Sequence, residues 1–370
     1  MNKIIPYVNL SKQWKAERKE LLKIIDKTLT NSSWIGGEDI LSFENKIKKL
    51  CNTKYCCALN SGTDALVLAL KLVGVKRGDE VITPPNSFIA STSVIDHLGA
   101  IPKFVDVLDD QNIDPKEILK SITSKTKAIM PVHLTGRVCK MDEIVKISKE
   151  YNIPVIEDSA QSIGSKFKNK MSGSFGKVGC FSAHPLKNLN AMGDGGYLTT
   201  NDKNIFNKVK DLINHGMTNR NIIKNFGYVS RMDTLQAAVL IYRLKKLPSV
   251  IKLRRRNANI YINNLDLDNI YIPKETKDEF NTYHTFVIQT KKRDKLKQYL
   301  FDNGIATAIH YPIPIHLQPA SKKFGYKKNS FINTEKQAKK ILTLPIHQYL
   351  EKGDILKICR VVNKFYKYEY

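Results

Sequence analysis

The 370-residue sequence has no stretch of about 18 apolar residues, so no membrane-spanning helix is expected. Its N-terminus, MNKIIPYVNLSKQWK, lacks the apolar run of a secretory signal. The six cysteines, Cys51, Cys56, Cys57, Cys139, Cys180 and Cys359, include no C-x-x-C pair. That argues against zinc and thioredoxin-type chemistry, and no metal site is expected. Most of them lie in apolar runs such as YCCAL and KVGCFSA. Reduced, buried thiols are the default there, and a reducing cytoplasm is the expected compartment. Repeats, low-complexity segments and nucleic-acid signatures such as an RNP motif or an aromatic ladder among basic residues are also missing. Acidic residues are scarce: 35 Asp and Glu face 60 Lys and Arg, a formal charge of +25. The lysines are spread along predicted helices, so the charge reads as a compositional bias and no nucleic-acid partner is expected.

What the chain does have is an alternation of periods. YCCAL (55–59), EVITP (80–84), IPKFVDV (101–107), KAIMPVH (127–133) and IPVIEDSA (153–160) are short apolar runs that read as strands. Between them lie segments of helical spacing, TDALVLALKLVG, SFIASTSVIDHLG, DPKEILKSIT and MDEIVKISKEYN. Asp114 is placed to cap the third of these and Pro115 suits its first position. Strand–helix alternation predicts an α/β fold with a mostly parallel central sheet flanked by helices. FSAH and GYLTT are expected as two further strands around a loop that carries Lys187. A helix from Met232 to about Leu247, a second helix from RRRNANIYINNL, and an α+β pattern beyond predict a large domain over 1–247 and a small one over 248–370. The first 30 residues or so are expected to pack on the small domain.

Ligands of open α/β sheets bind outside the carboxyl ends of strands. Those ends here carry Asn60-Ser61-Gly62-Thr63, Pro85 to Phe88, His133 to Gly136, Asp158 to Gln161 and Ser182 to Lys187. Ser61-Gly62-Thr63 opens a predicted helix, where free N–H groups favour a phosphate, although a plain N-cap has the same form. Asp158 ends an apolar strand, as a cap or as a functional charge. Lys187 stands beside Pro185 and ahead of Gly193-Asp194-Gly195-Gly196. A lysine with a lowered pKa there is a nucleophile toward carbonyls. Phosphate cradle, lysine, acid and a flat cover such as Phe88 are together what pyridoxal phosphate needs.

NSGTDAL (60–66), TPPNSFIAS (83–91), HLTGR (133–137), IEDSAQ (156–161), FSAHPLKNLNAMGDGG (181–196), SRMDTLQAA (230–238) and HYPIPIHLQPA (310–320) complete the pattern. In this order they resemble the DegT/DnrJ/EryC1/StrS family of sugar aminotransferases, of aminotransferase fold type I. The resemblance implies that Lys187 holds pyridoxal 5′-phosphate covalently and then moves the substrate proton, with the pyridoxamine form as the intermediate carrier. It implies that Asp158 pairs with the pyridine nitrogen and Gln161 with the ring hydroxyl. Gly62, Thr63 and Ser182 would hold the phosphate, and Phe88 would stack on the ring. The implied donor is glutamate or glutamine, and the acceptor is a keto sugar, commonly nucleotide-linked, in amino-sugar or surface-polysaccharide biosynthesis. A homodimer normally completes each site.

Two positions depart from the family. Val229 stands where many relatives have an asparagine that reaches the partner's phosphate, so that contact is lost or passes to Ser230 or Asn225. Asn190 to Gly196 looks closer to relatives acting at the sugar's C3 than at C4. His310, Tyr311 and His316 are candidates for sugar or diphosphate contact, or equally for packing. The alternatives to a transaminase are a dehydratase of the same family, in which histidine replaces the lysine, and a non-catalytic regulator.

Overall fold

The computed structural model describes residues 4–368. The chain opens with α1 (Leu10–Thr30) and α2 (Glu38–Cys51) and then enters the alternating region. That region runs β1 (Tyr55–Leu59), α3 (Gly62–Leu72), β2 (Glu80–Thr83), α4 (Ala90–His97) and β3 (Ile101–Phe104). It continues through α5 (Pro115–Ser121), β4 (Thr126–Ile129), α6 (Met141–Glu150) and β5 (Ile156–Asp158). A small hairpin, β6 (Lys166–Phe167) and β7 (Lys170–Met171), precedes β8 (Val178–Ser182) and β9 (Gly196–Thr200).

β3, β2 and β4 pair in parallel, as do β5 and β8. Parallel bridges Ile129–Val155 and Val132–Asp158 join the two groups. The resulting order is β3-β2-β4-β5-β8-β9-β1, in which β9 alone runs against the others. The reversal has a simple cause. β8 and β9 are joined by a loop without a crossover helix, and only an antiparallel pair can be joined that way. The inner positions of the parallel strands are apolar because helices cover both faces. Val81, Ala128, Ile156, Val178 and Leu198 pack with Leu66, Leu70 and Val94 on one side. Ile82, Ile129 and Val155 pack with Ile118, Ile144 and Ile147 on the other. Asp114 caps α5 as expected, accepting from the Lys116 amide at 2.9 Å.

Beyond β9 come α7 (Lys203–Leu212), a hairpin of β10 (Met217–Asn219) and β11 (Ile222–Ile223), and α8 (Thr234–Asn264). The sequence predicts two helices here, split near residue 247, but α8 is one helix of 31 residues with Pro248 inside it. Pro in a helix interior costs about 3 kcal/mol. Burial on both sides of it offsets that cost. Ala237, Leu240, Leu247 and Ile251 sit in the core with α2, and Ala258 and Tyr261 sit in a second core. The expected boundary therefore falls inside a continuous helix that belongs to both cores.

The second core is built by β13 (Phe286–Gln289), α9 (Arg293–Asp302), β14 (Ile341–Leu344) and α11 (Lys352–Tyr368), with β13 and β14 antiparallel. The short β12 (Glu279–Phe280) joins the β6–β7 hairpin, and α10 (Ile332–Ala338) precedes β14. Ile5 packs into this second core and bridges to Ile305, while α1 lies against α8. Among the described residues, no helix is long and apolar enough to cross a membrane.

Candidate active site

The carboxyl ends of β1, β5 and β8 meet the second core across a cavity of about 400 Å³. One wall comes from the sheet: Gly62 and Thr63 at the start of α3, Asp158 at the end of β5, then Gln161, Ser182 and Lys187. The other comes from distant segments: Tyr7, Arg254 on α8, His284, His310, Tyr311 and His347. A larger open groove of about 1070 Å³ follows α8 past Leu50, Met171, Ile251 and Leu356. It is lined by no carboxylate, histidine or cysteine, so acid–base chemistry points to the smaller cavity.

Glu157 and Asp158 are adjacent, and strand alternation sends them to opposite faces. Glu157 is fully buried and accepts from the amides of Gly173 (2.8 Å), Phe175 (2.7 Å) and Gly176 (2.6 Å). His133 Nε2 lies 3.0 Å from the same carboxylate, and His133 Nδ1 accepts from the Cys139 amide at 3.2 Å. That amide fixes the proton on Nε2. His133, at one of the strand ends singled out above, is thus a buried brace and does not line the cavity. Glu157 is a satisfied structural carboxylate.

Asp158 faces the cavity and is 5% exposed. Its oxygens accept from the Ala160 amide (3.1 Å) and the Ser91 hydroxyl (2.9 Å). Burial pushes its pKa up, and those two hydrogen bonds and the charge of Lys187 pull it partly back. No cation forms an ion pair with it among the described residues. Lys187 lines the same cavity, and burial lowers its amine to about 8, with the charge of Asp158 opposing. The two groups thus sense each other without an ion pair, which leaves room for something between them.

The start of α3 is held by close backbone contact. A Cβ on Gly62 would lie 2.8 Å from Ser182 Cβ, and one on Gly196 would lie 2.2 Å from the Ser61 carbonyl carbon. Glycine is therefore required where β8 and β9 press against the helix start. Ser61 Oγ caps α3 by accepting from the Asp64 amide at 3.1 Å. The amides of the first turn have no intrahelical partner, and they lie beside Ser182 at the cavity edge. Gln161 Oε1 accepts from the Thr135 amide at 2.8 Å, which leaves its –NH2 end as the one available to a ligand. Phe88, half exposed, stands 5.9 Å from the Tyr311 ring. Tyr311 and His310 both line the cavity, His310 held at 3.0 Å from Thr343 Oγ1.

His316 does not belong to this group. The chain turns after Pro314, tied by the Ile315 amide to the Pro85 carbonyl at 2.7 Å. His316 is buried, with Nε2 3.1 Å from Glu335 and its ring edge-on to Phe331 at 4.8 Å. It is a packing residue. Val229 is 58% exposed, bridges to Asn214 and does not line the cavity. Ser230, one of the residues considered in its stead, is buried and donates to Asn60 Oδ1 at 3.1 Å. Asn225 is exposed.

A buried acid without a cation, a lysine of lowered pKa and a helix start with free amides fit pyridoxal 5′-phosphate. Among the described residues no cluster of three His, Cys, Asp or Glu could hold a metal.

Residues 15–363 match the DegT/DnrJ/EryC1/StrS aminotransferase family. The chain is 36% identical to a Geobacillus stearothermophilus protein named pleiotropic regulatory protein, over 98% of this chain and 99% of that one. It is 37% identical to the dTDP-3-amino-3,6-dideoxy-α-D-galactopyranose transaminase of Aneurinibacillus thermoaerophilus, again over 98% and 99%. Among solved structures it resembles Streptomyces venezuelae DesV in complex with a ketimine intermediate (TM-score 0.96, 33% identity, 99% of each chain). It also resembles Bacillus subtilis NtdA with bound cofactor PMP (TM-score 0.87, 31% identity, 94% of this chain and 82% of that one). With a matched span that takes in the sheet, the cavity and the second core alike, this chain belongs to the DegT/DnrJ/EryC1/StrS aminotransferase family.

Proposed function

We propose that the protein is a pyridoxal-phosphate-dependent aminotransferase that moves an amino group from glutamate to the C3 carbonyl of a nucleotide-diphosphate-linked keto sugar. One observation carries the chemistry. Lys187, its amine lowered to about 8, shares a cavity with Asp158, a buried carboxylate that has no cation partner among the described residues. The 190–196 segment and the 3-amino product named for the Aneurinibacillus relative support amination at C3.

The cofactor supplies an aldehyde that accepts amines and a ring that stabilises negative charge on the adjacent carbon. The protein's residues do the rest. Lys187 would hold the aldehyde and, when freed, would be placed to take the proton from the donor's α-carbon and to return one to the sugar carbon. Its lowered pKa suits it to act as a base near neutral pH. Asp158 would keep a proton on the ring nitrogen, because a buried carboxylate would be stabilised by that N–H. The α3 amides, Thr63 and Ser182 would hold the phosphate, Gln161 would orient the ring hydroxyl, and Phe88 would cover one face. Tyr311 and His310 line the space left for the sugar.

The test is incubation with glutamate and a panel of nucleotide-linked 3-keto and 4-keto sugars, read by mass. Amino sugar with an equal amount of 2-oxoglutarate is expected, and the Lys187→Ala variant should yield neither and lose the visible absorption of bound cofactor. Sugar dehydration without 2-oxoglutarate would overturn the reading. The regulator's name borne by one relative suggests a second measurement. A regulator that binds DNA through the +25 charge would show steeply salt-dependent DNA affinity.

A further inference from the structure

Four arginines are nearly buried: Arg137, Arg243, Arg254 and Arg293, each 6–8% exposed. Three have a carboxylate. Arg137 pairs with Glu279, Arg243 with Glu17 at 2.9 Å, and Arg293 with Asp294 at 2.6 Å. Arg254 has none among the described residues. Its Nη1 donates to the backbone carbonyls of Tyr283 (3.0 Å) and His284 (3.1 Å). Its Nε is buried without a partner, and Nη2 has none among the described residues.

Arg254 lines the cavity. The carboxylates that line it are Asp158 and Asp194, and neither forms an ion pair with Arg254. Other unpartnered groups surround the guanidinium. Nδ1 of His284 and Nδ1 of His347 are buried without partners, and the Tyr7 hydroxyl makes no hydrogen bond among the described residues. Burial, reinforced by the charge of Arg254, pushes both histidines toward the neutral form, so neither adds a second positive charge, and no imidazole can serve as the missing anion. Burial also lowers Arg254 itself, to about 10, which leaves it cationic at neutral pH.

A buried cation is normally paired or coordinated, because taking a charge out of water is costly. Here the missing anion is a substrate group. The unpartnered Nε–Nη2 edge carries parallel N–H donors, the fork that matches a carboxylate. The geometry points to Arg254 as the carboxylate-binding residue of the substrate side, taking a carboxylate of the amino-acid donor with Tyr7 and His284 beside it. This rests on the transaminase reading and deepens it by naming what recognises the donor. The phosphate end of the cavity is supplied by other residues, Gly62, Thr63 and Ser182. A carboxylate could also reach Arg254 on a keto sugar that is a uronic acid, and the experiment separates the two sources.

Holoenzyme is titrated calorimetrically with glutarate, which has glutamate's carboxylates but no amine and cannot react. Steady-state rates are measured in parallel for glutamate and for keto sugars with and without a carboxylate. Arg254→Met should weaken glutarate binding about 10- to 100-fold, the range for a lost charged hydrogen-bonding pair. It should raise the KM for glutamate by a similar factor with kcat changed little. Arg254→Lys, which keeps the charge but not the fork, should fall between, and this variant decides the matter if the Met variant does not fold. Unchanged glutarate affinity and glutamate KM in a folded variant would overturn the assignment. So would a loss confined to uronic-acid keto sugars, which would place the arginine on the acceptor. If the wild type transaminates no sugar, the functional reading fails, whereas glutarate binding that depends on Arg254 would still support the carboxylate site.

Discussion

Burial shifts the pKa values of Asp158 and Lys187 in opposite directions, and the signs of the two effects can be tested separately. For Asp158 the folded pKa is raised. The folded state then holds its proton to higher pH than the unfolded chain, so above the folded value the ionised group costs stability. Asp158→Asn should therefore leave the cofactor-free protein at least as thermostable as wild type at pH 7. Its turnover should fall about 100-fold or more, the scale of a lost acid–base contribution. A melting curve and a rate on the same preparation separate the two, and near-normal turnover would remove Asp158 from the chemistry. For Lys187 the folded value is depressed to about 8. The unfolded chain then binds more protons between about 8 and the ordinary lysine value near 10.4. Stability of the cofactor-free protein should rise with pH across that window. Lys187→Met should flatten that slope in melting temperatures measured from pH 7 to 10.5. An identical slope in both proteins would mean that the amine is not desolvated.

The loop that carries Lys187 takes its shape from helices far away in the chain. Asn190 donates to the Pro185 carbonyl at 2.7 Å and exchanges hydrogen bonds with Gln13 on α1 at 3.1 and 3.2 Å. Arg243 on α8 donates to the carbonyls of Asn190 (2.8 Å) and Ala191 (3.0 Å) while pairing with Glu17. Arg243→Met would strand the Glu17 carboxylate in a buried site and free two loop carbonyls. Breaking a buried pair from one side costs about 3–5 kcal/mol. Denaturant unfolding should show a loss of that order, and reaction of the cofactor-free protein with pyridoxal phosphate should slow because the amine is less well placed. A stability change below about 0.5 kcal/mol would show that this pair does not hold the loop. The same elements show what could be read from sequence alone. The sheet wall of the cavity was legible because buried parallel strands are continuous apolar runs and their ends stand out as short polar clusters. The opposite wall was not, because Tyr7, Arg254, His284 and His347 are scattered over the chain and meet only in the fold. Arg254 did leave a signal. Leu247, Ile251, Arg254, Ala258 and Tyr261 recur at helical spacing on the buried face of α8. Pro248 hid it, since proline reads as a helix break and the RRR run reads as solvated surface. For His316 the sequence left contact and packing open for the opposite reason. Its neighbours His310 and Tyr311 do line the cavity, but the turn between Tyr311 and Ile315 carries His316 into the cluster around Phe104 and Phe331.

At the scale of the whole molecule, the side on which the β10–β11 hairpin lies carries several large, exposed apolar side chains. Phe226 is 93% exposed, and Trp34, Ile35, Ile222, Ile223 and Val229 are each more than half exposed. Backbone bridges and hydrogen bonds connect these segments: Ile35 to Asp233, Trp34 to Thr234, and Val229 to Asn214. Contiguous apolar exposure of this kind marks an interaction surface. A second copy of this chain is the occupant expected from the surface's position beside the cavity. Next to Val229, the Ser230 carbonyl accepts from the Asn60 amide at 3.1 Å, one residue before the cap of α3. A copy docked on this side would roof the start of α3 at the cavity edge, and a contact made by the same face of both copies would close as a twofold dimer. The Val229 side chain can bury apolar area in such a contact but offers no hydrogen-bond donor across it. Size-exclusion chromatography with light scattering at micromolar concentration should give twice the chain mass of 42.1 kDa. The double variant Phe226→Asp, Ile223→Asp should give the single mass, with the fold intact by circular dichroism and the cofactor released more readily on dilution. Wild type that elutes as a monomer with full activity would remove the dimer from the site, and the exposed apolar face would then need another occupant.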